Sequence, residues 1–545
     1  MYKVKIKNQV YIYNEKKTLE EIAEELKIIA YVAKVNNRLR ELGYYINYDC
    51  ELEFLDLTNY EAARVYETSL RYLLIMAIEA LYPKAILKFH QSISRTFSVT
   101  ISNISDEINS ILLNKISQKL IEISEANYPI IRKKIAKNDA FALYKEKGYF
   151  DKIDILKYRQ EDTVNIYECN GYLNYMFGYM VSSTSLIKDF ALHLSKNGFI
   201  CQYPRAELAG QIPALANEPR YQKMIDEAKE WAMICDADTI AKMNNHIENS
   251  TIIDFVNMCE TKHNNQLAEL GLMIKNNINN IRLIAIAGPS SSGKTTFSHR
   301  LRIELMTRGL HPVKISIDDY YLNRNQAPKD EYGNPDLEHI EALDVDLFNK
   351  DLLALIEGKE VQLPVFDFKK GERLKGKKIK ITSNQPIIIE GIHALNEKLT
   401  ALIPREQKFK IYISPTTQIN IDYHNPIMAT DVRLLRRIVR DAKYRKTNPA
   451  DTFAMWASVR KGEFKWIYPF QEEANYIFNT ELTYELGVMK KYALPVLASI
   501  DRNNEYFIQA NRLVKFLKYF KDIDDRLVPC NSLLREFIGE SCFYE

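Results

Sequence analysis

The stretch LIAIAGPSSSGKTT, Leu283 to Thr296, decides the reading of this 545-residue chain. Leu283–Ala287 is an apolar run of strand length, and the residues after Thr295 have helical character. Between them Gly288–Thr295 fits G-x-x-x-x-G-K-T without a mismatch. Gly288 and Gly293 let the backbone curl around Pro289, Ser290, Ser291 and Ser292, so that successive amides face one anion. Lys294 adds a point charge for the β- and γ-phosphates, and the Thr295 hydroxyl suits Mg2+. The helix opening at Thr295 and Thr296 turns its positive dipole end to the same place. A strand before and a helix after are the context such a loop needs. The expected ligands are ATP (or GTP) and Mg2+.

Moving outward, apolar strands are expected at Val313–Ile317, Pro386–Ile389 and Phe409–Ile413, with helical segments between them. That alternation predicts a parallel sheet covered on both faces. Val313–Ile317 runs into Asp318-Asp319-Tyr320-Tyr321. A carboxylate at the carboxyl end of a parallel strand borders the ligand crevice, where it can accept a hydroxyl proton or hold magnesium; a solvated turn has the same composition. By strand alternation Asp318 shares a face with Ser316, opposite Ile315 and Ile317. Glu390 ends the run Ile387–Ile389, a position that supports magnesium with Thr295. Arg433, Arg436, Arg437, Arg440 and Arg445 fall in one helix and its end, the first four near one face. They suit transferring phosphates, or equally a solvated helix paired with Asp431 and Asp441.

Upstream, Tyr2–Ile6 and Gln9–Tyr13 alternate as paired strands, and Thr18 with Glu21 forms a capping box for a helix Leu19–Lys27. Strands near Ala30–Val35 and Glu51–Leu55 complete a β-grasp pattern. The expected organisation is a β-grasp module at 1–57, a mixed α+β domain at 58–205 with an amphipathic helix Tyr66–Leu81 and a strand Thr96–Ile101, a helical connector at 206–280, and 281–545 around the phosphate loop. The whole is a multidomain α/β chain. Net charge of +3 is too weak for extensive nucleic-acid contact. Seven cysteines without a CxxC pair fit free thiols in a reducing compartment. The N-terminus lacks a signal peptide's apolar core, and Glu79 interrupts the longest apolar stretch. A cytoplasmic protein with no membrane partner is expected; an oligomer is possible.

These elements, with Leu347–Leu355, the P-x-[YF]-D-F pattern in Leu363–Phe368 and R-R-x-x-R-D at Arg436–Asp441, resemble the uridine kinase and phosphoribulokinase family over about 200 residues. The resemblance implies a P-loop NTPase fold and phosphotransfer from ATP to a nucleoside 5′-hydroxyl. It makes Asp318 the base, gives Lys294, Arg437 and Arg440 catalytic roles, and places Arg445 in a lid over the phosphates. Tyr321, Glu338, Phe366 and Arg373 would line the acceptor pocket. Uridine kinases carry a Tyr and a His where this chain has Phe366 and Gly371, which weakens the expectation of uridine itself.

Residues 1–57 resemble the TGS domain of threonyl-tRNA synthetases. Residues 58–205 resemble the adjoining second additional domain, especially the helix into Leu81-Tyr82-Pro83. That domain's H-x-x-x-H motif is replaced by Glu67-Thr68-Ser69-Leu70-Arg71, and His90 and Cys169 do not restore the spacing, so neither metal nor editing is expected. Trp456–Glu463 and Leu534–Gly539 fit a bacterial subgroup of uridine kinase-like proteins with such an N-terminal half. The rival readings are an RNA-binding regulatory protein that uses the TGS-like half, a kinase of another small alcohol, and a phosphoanhydride hydrolase.

Overall fold

The computed structural model describes residues 1–543 except 330–332, 334, 368–369 and 383–384. Phe368, the end of the Leu363–Phe368 pattern, lies outside the described residues. Near the N-terminus, Tyr2–Ile6 pairs antiparallel with Gln9–Tyr13 and parallel with Cys50–Leu55. Helix Leu19–Glu25 intervenes in the chain. Its capping box is formed: the Thr18 hydroxyl accepts from the Glu21 amide at 3.1 Å, and the Glu21 carboxylate accepts from the Thr18 amide at 2.6 Å. The helix stops short of Lys27, which takes a left-handed φ of 55°.

A four-stranded antiparallel sheet follows, in the order Ala191–Ser195, Gly198–Gln202, Phe97–Ser102, Ile86–Gln91. Against it lies a helix that spans Tyr60–Leu81 and is longer than its sequence pattern indicates. It is not amphipathic in effect. Leu70, Leu73 and Leu74 are buried with Phe89 and Val99, yet Glu61, Glu67 and Arg71 are buried too. The reason is that its charged side is covered by the C-terminal half: Arg71 donates to the His424 carbonyl, and Arg64 pairs with Asp431 at 2.8 Å.

The phosphate loop belongs to a five-stranded, wholly parallel sheet. Its strands are β1 (Leu283–Ala287), β2 (Val313–Ser316), β3 (Ile387–Glu390), β4 (Lys408–Ser414) and β5 (Tyr476–Asn479), in the spatial order β2-β3-β1-β4-β5. Alternate side chains go to opposite faces. Ile284, Ile286, Ile388, Ile411 and Ile413 enter one core, and Leu283, Ala285, Ile315, Ile387, Ile389 and Tyr412 the other. Helices Pro219–Ile234 and Ile252–Asn276 lie before the sheet in sequence, and Phe255, Leu267 and Ile274 join the first core. Helices α1 (Lys294–Thr307) and α2 (Ala429–Arg440) cover this face. Gly288, Asp318 and Glu390 all come at the carboxyl ends of neighbouring strands, which gathers them at one crevice.

Candidate active site

The loop after β1 has two obligatory glycines. A Cβ on Gly288 would lie 2.3 Å from the Ile413 carbonyl oxygen, and Gly293 sits at φ 90°. Ser291 also has a left-handed φ of 59°. The Ser291 and Ser292 hydroxyls are buried without a hydrogen-bond partner among the described residues, which leaves donors for an anion. Lys294 Nζ donates to the carbonyls of Gly288 at 3.0 Å and Pro289 at 3.2 Å. Burial lowers its pKa, while Glu390, Asp318 and Glu536 act in the opposite sense.

Thr295 Oγ1 and Glu390 Oε1 lie 3.4 Å apart. With Asp318 close enough to Glu390 to feel its charge, the cluster offers hard oxygen donors beside a phosphate loop, which fits Mg2+. Lys314 Nζ approaches Glu390 at 3.7 Å. A lysine inside an otherwise apolar strand was the available sequence signal for it.

Asp318 is not in a strand. β2 ends at Ser316, and Ile317–Tyr320 forms a 3-10 turn, so the alternation expected from the sequence does not operate here. The two acids are separated by their partners instead. Asp319 accepts the Phe366 amide at 3.2 Å, whereas Asp318 lines the crevice with its side chain accessible from it but with protein packed closely around. The Asp318 carboxyl is pushed up to about 6 by desolvation and by Glu390, against the pull of Lys294.

The arginines of α2 divide in two. Arg433 ion-pairs with Glu463 and donates to the Ser290 carbonyl at 3.1 Å. Arg436, fully buried, donates from Nε to Glu485 at 3.0 Å and from its terminal nitrogen to the Thr480 carbonyl at 2.9 Å. Arg437 donates to Ser290 Oγ at 2.7 Å, and Arg437, Arg440 and Arg445 surround the buried Asp441. Asp431 pairs with Arg64 and Arg512 rather than with these arginines.

Around the acceptor side, Tyr321 donates to the Leu337 carbonyl at 3.1 Å and its ring lies 5.6 Å from Phe366. The Glu338 carboxyl is pushed up to about 7, chiefly by burial, with Arg437 and Lys294 pulling it down. Arg373 is tied to Asp344 at 2.7 Å. At Gly371 (φ 71°) the space a side chain would take is filled by Arg324, whose Cδ lies 2.6 Å from the Cβ position. Glu536, near the C-terminus, accepts the Thr296 amide at 2.9 Å. Nothing local in the sequence marks Glu536, which reaches the loop from 240 residues away, or Arg324, whose place against Gly371 depends on a segment beyond its own turn.

A family model described as "Phosphoribulokinase / Uridine kinase family" matches residues 283–485. A uridine kinase of Borrelia hermsii is 30% identical over 199 residues, which is 36% of this chain and 85% of that protein. The "Inorganic pyrophosphatase TTM2" of Arabidopsis thaliana is 30% identical over 171 residues, 31% of this chain and 21% of that protein. The N-terminal half is similar to a threonine–tRNA ligase of Thermotoga maritima, 31% identical over 189 residues, 34% of this chain and 29% of that protein.

Proposed function

This chain belongs to the phosphoribulokinase and uridine kinase family, and on that premise we propose that it transfers the γ-phosphoryl group of ATP to the 5′-hydroxyl of a nucleoside. The observation that carries the reading is the convergence of Lys294, Asp318 and Glu390 at adjacent strand ends. The loop amides and Lys294 hold the phosphates, with the Ser291 and Ser292 hydroxyls as further donors. Thr295 and Glu390 would hold magnesium, which when bound neutralises phosphate charge. Asp318 accepts the proton of the acceptor hydroxyl as its oxygen attacks phosphorus and the ADP oxygen leaves. Arg437 and Arg440, at the end of α2, stabilise charge as it moves.

Base recognition follows from what replaces the Tyr and His of uridine kinases. Phe366 offers only a ring face, and Arg324 lies over Gly371. Residue 371 itself therefore offers no hydrogen-bonding side chain to a pyrimidine, and uridine preference should be weaker.

The test is a panel of nucleosides and small alcohols with ATP and magnesium, read as phosphorylated product and free phosphate together. Lys294→Ala should abolish product formation with the fold retained. Free phosphate without any phosphorylated acceptor would replace the kinase reading by phosphoanhydride hydrolysis.

A further inference from the structure

Between the N-terminal half and α2 lies a cavity of about 530 Å³ that shares no lining residue with the Gly288–Thr295 loop. Its size is that of a small-molecule site. Ten arginines and lysines line it against four carboxylates. Its buried wall includes Arg71, 5% exposed, on the helix turn where the synthetase resemblance would have metal ligands. There Arg71 pairs with Glu67 at 3.5 Å, and a guanidinium is not a metal ligand.

Part of the wall's positive charge is already matched within the protein. Arg71 is held by the His424 carbonyl and by Glu67, and Arg64 and Arg512 share Asp431. Ten cationic side chains against four carboxylates still leave an excess of positive charge on the wall, which an anionic ligand would offset. Planar guanidiniums match phosphate oxygens in pairs. The wall also carries Tyr158, Tyr175, Phe177 and Tyr179, aromatic faces on which a flat ring can stack. Lys515 and Lys518 are exposed members of the lining and extend the positive field into solvent.

We propose that this cavity is a second binding site, for a nucleoside polyphosphate, with the phosphates on the arginines and the base against the tyrosines. Equilibrium dialysis of the full chain with ATP, GTP, UTP and inorganic tripolyphosphate tests it. Two nucleotides should bind per chain. Lys294→Ala should remove one, and Arg71→Gln with Arg512→Gln the other. Because the buried arginines also serve packing, the exposed pair Lys515→Gln and Lys518→Gln provides a second measure and should weaken the second site roughly tenfold. One nucleotide per chain, lost wholly with Lys294→Ala, overturns the proposal. So does a second site indifferent to both sets of changes, or one that holds tripolyphosphate as tightly as any nucleotide.

Discussion

Asp318 and Asp319 are neighbours with different duties. Asp319 is committed to the Phe366 amide, while Asp318 faces Glu390 and Lys294. Asp318→Asn should therefore lower kcat by about 10²–10⁴-fold with nucleotide binding retained. Asp319→Asn should cost far less, and single-turnover transfer in both variants decides between them. A pH profile gives an independent check. As the proposed base, Asp318 must be ionised to accept a proton, and its pKa is raised to about 6 from an ordinary value of ~3.9. Acceptor kcat/KM should thus be full above that value and fall as pH drops through it. A limb unchanged in Asp318→Asn, which has no carboxylate there to titrate, would assign the titration elsewhere. The sequence placed both acids at the strand end but could not show the 3-10 turn. It revealed Thr295 and Glu390 because each is marked by its own strand or helix boundary. Glu536 carries no such mark, since its place depends on packing between segments 240 residues apart.

At the scale of elements, α2 is a brace for the phosphate loop. Arg433, Arg436 and Arg437 approach Ser290 or Ser291, and Glu463 and Glu485 on other elements hold the first two from behind. Spacing alone put these arginines on one face; it did not show that Glu463 and Glu485 would neutralise two of them. Glu485→Ala leaves Arg436 buried and uncompensated, which should destabilise this part of the protein by about 3–5 kcal/mol. Thermal unfolding monitored with and without ATP should show both a lower midpoint and a smaller nucleotide-induced rise. The C-terminal segment acts on the same loop. Glu536 occupies the Thr296 amide, a donor that a bound phosphate would use, and its carboxyl pKa is raised by burial. Glu536→Gln should tighten ATP binding several-fold by removing a competing negative charge. Weaker binding in that variant would instead make Glu536 a support for the loop.

At the scale of the molecule, the two halves are joined by more than a linker. The β-grasp and the parallel sheet were legible because each rests on local alternation and turn chemistry. Their junction was not, because it consists of single buried polar residues. Asn420–Pro426, the segment that leads into α2, carries most of it. Asn420 donates to the Phe89 carbonyl at 2.7 Å, the Phe89 amide donates to the Tyr423 carbonyl at 2.8 Å, and Lys152 pairs with Asp422 at 3.0 Å with both side chains buried. Asp422 in turn accepts from the His424 amide and from Asn425. Lys152→Met keeps the bulk but removes the cation, so Asp422 stays buried with only neutral donors. The expected loss is about 3–5 kcal/mol. Because Asp422 lies just ahead of α2, turnover should fall with it. Adding Asp422→Asn to Lys152→Met removes the orphaned charge and should recover much of the stability. An unfolding midpoint unmoved by Lys152→Met would mean that the halves fold without reference to each other, and the N-terminal half would then have to influence phosphoryl transfer by some route other than this contact.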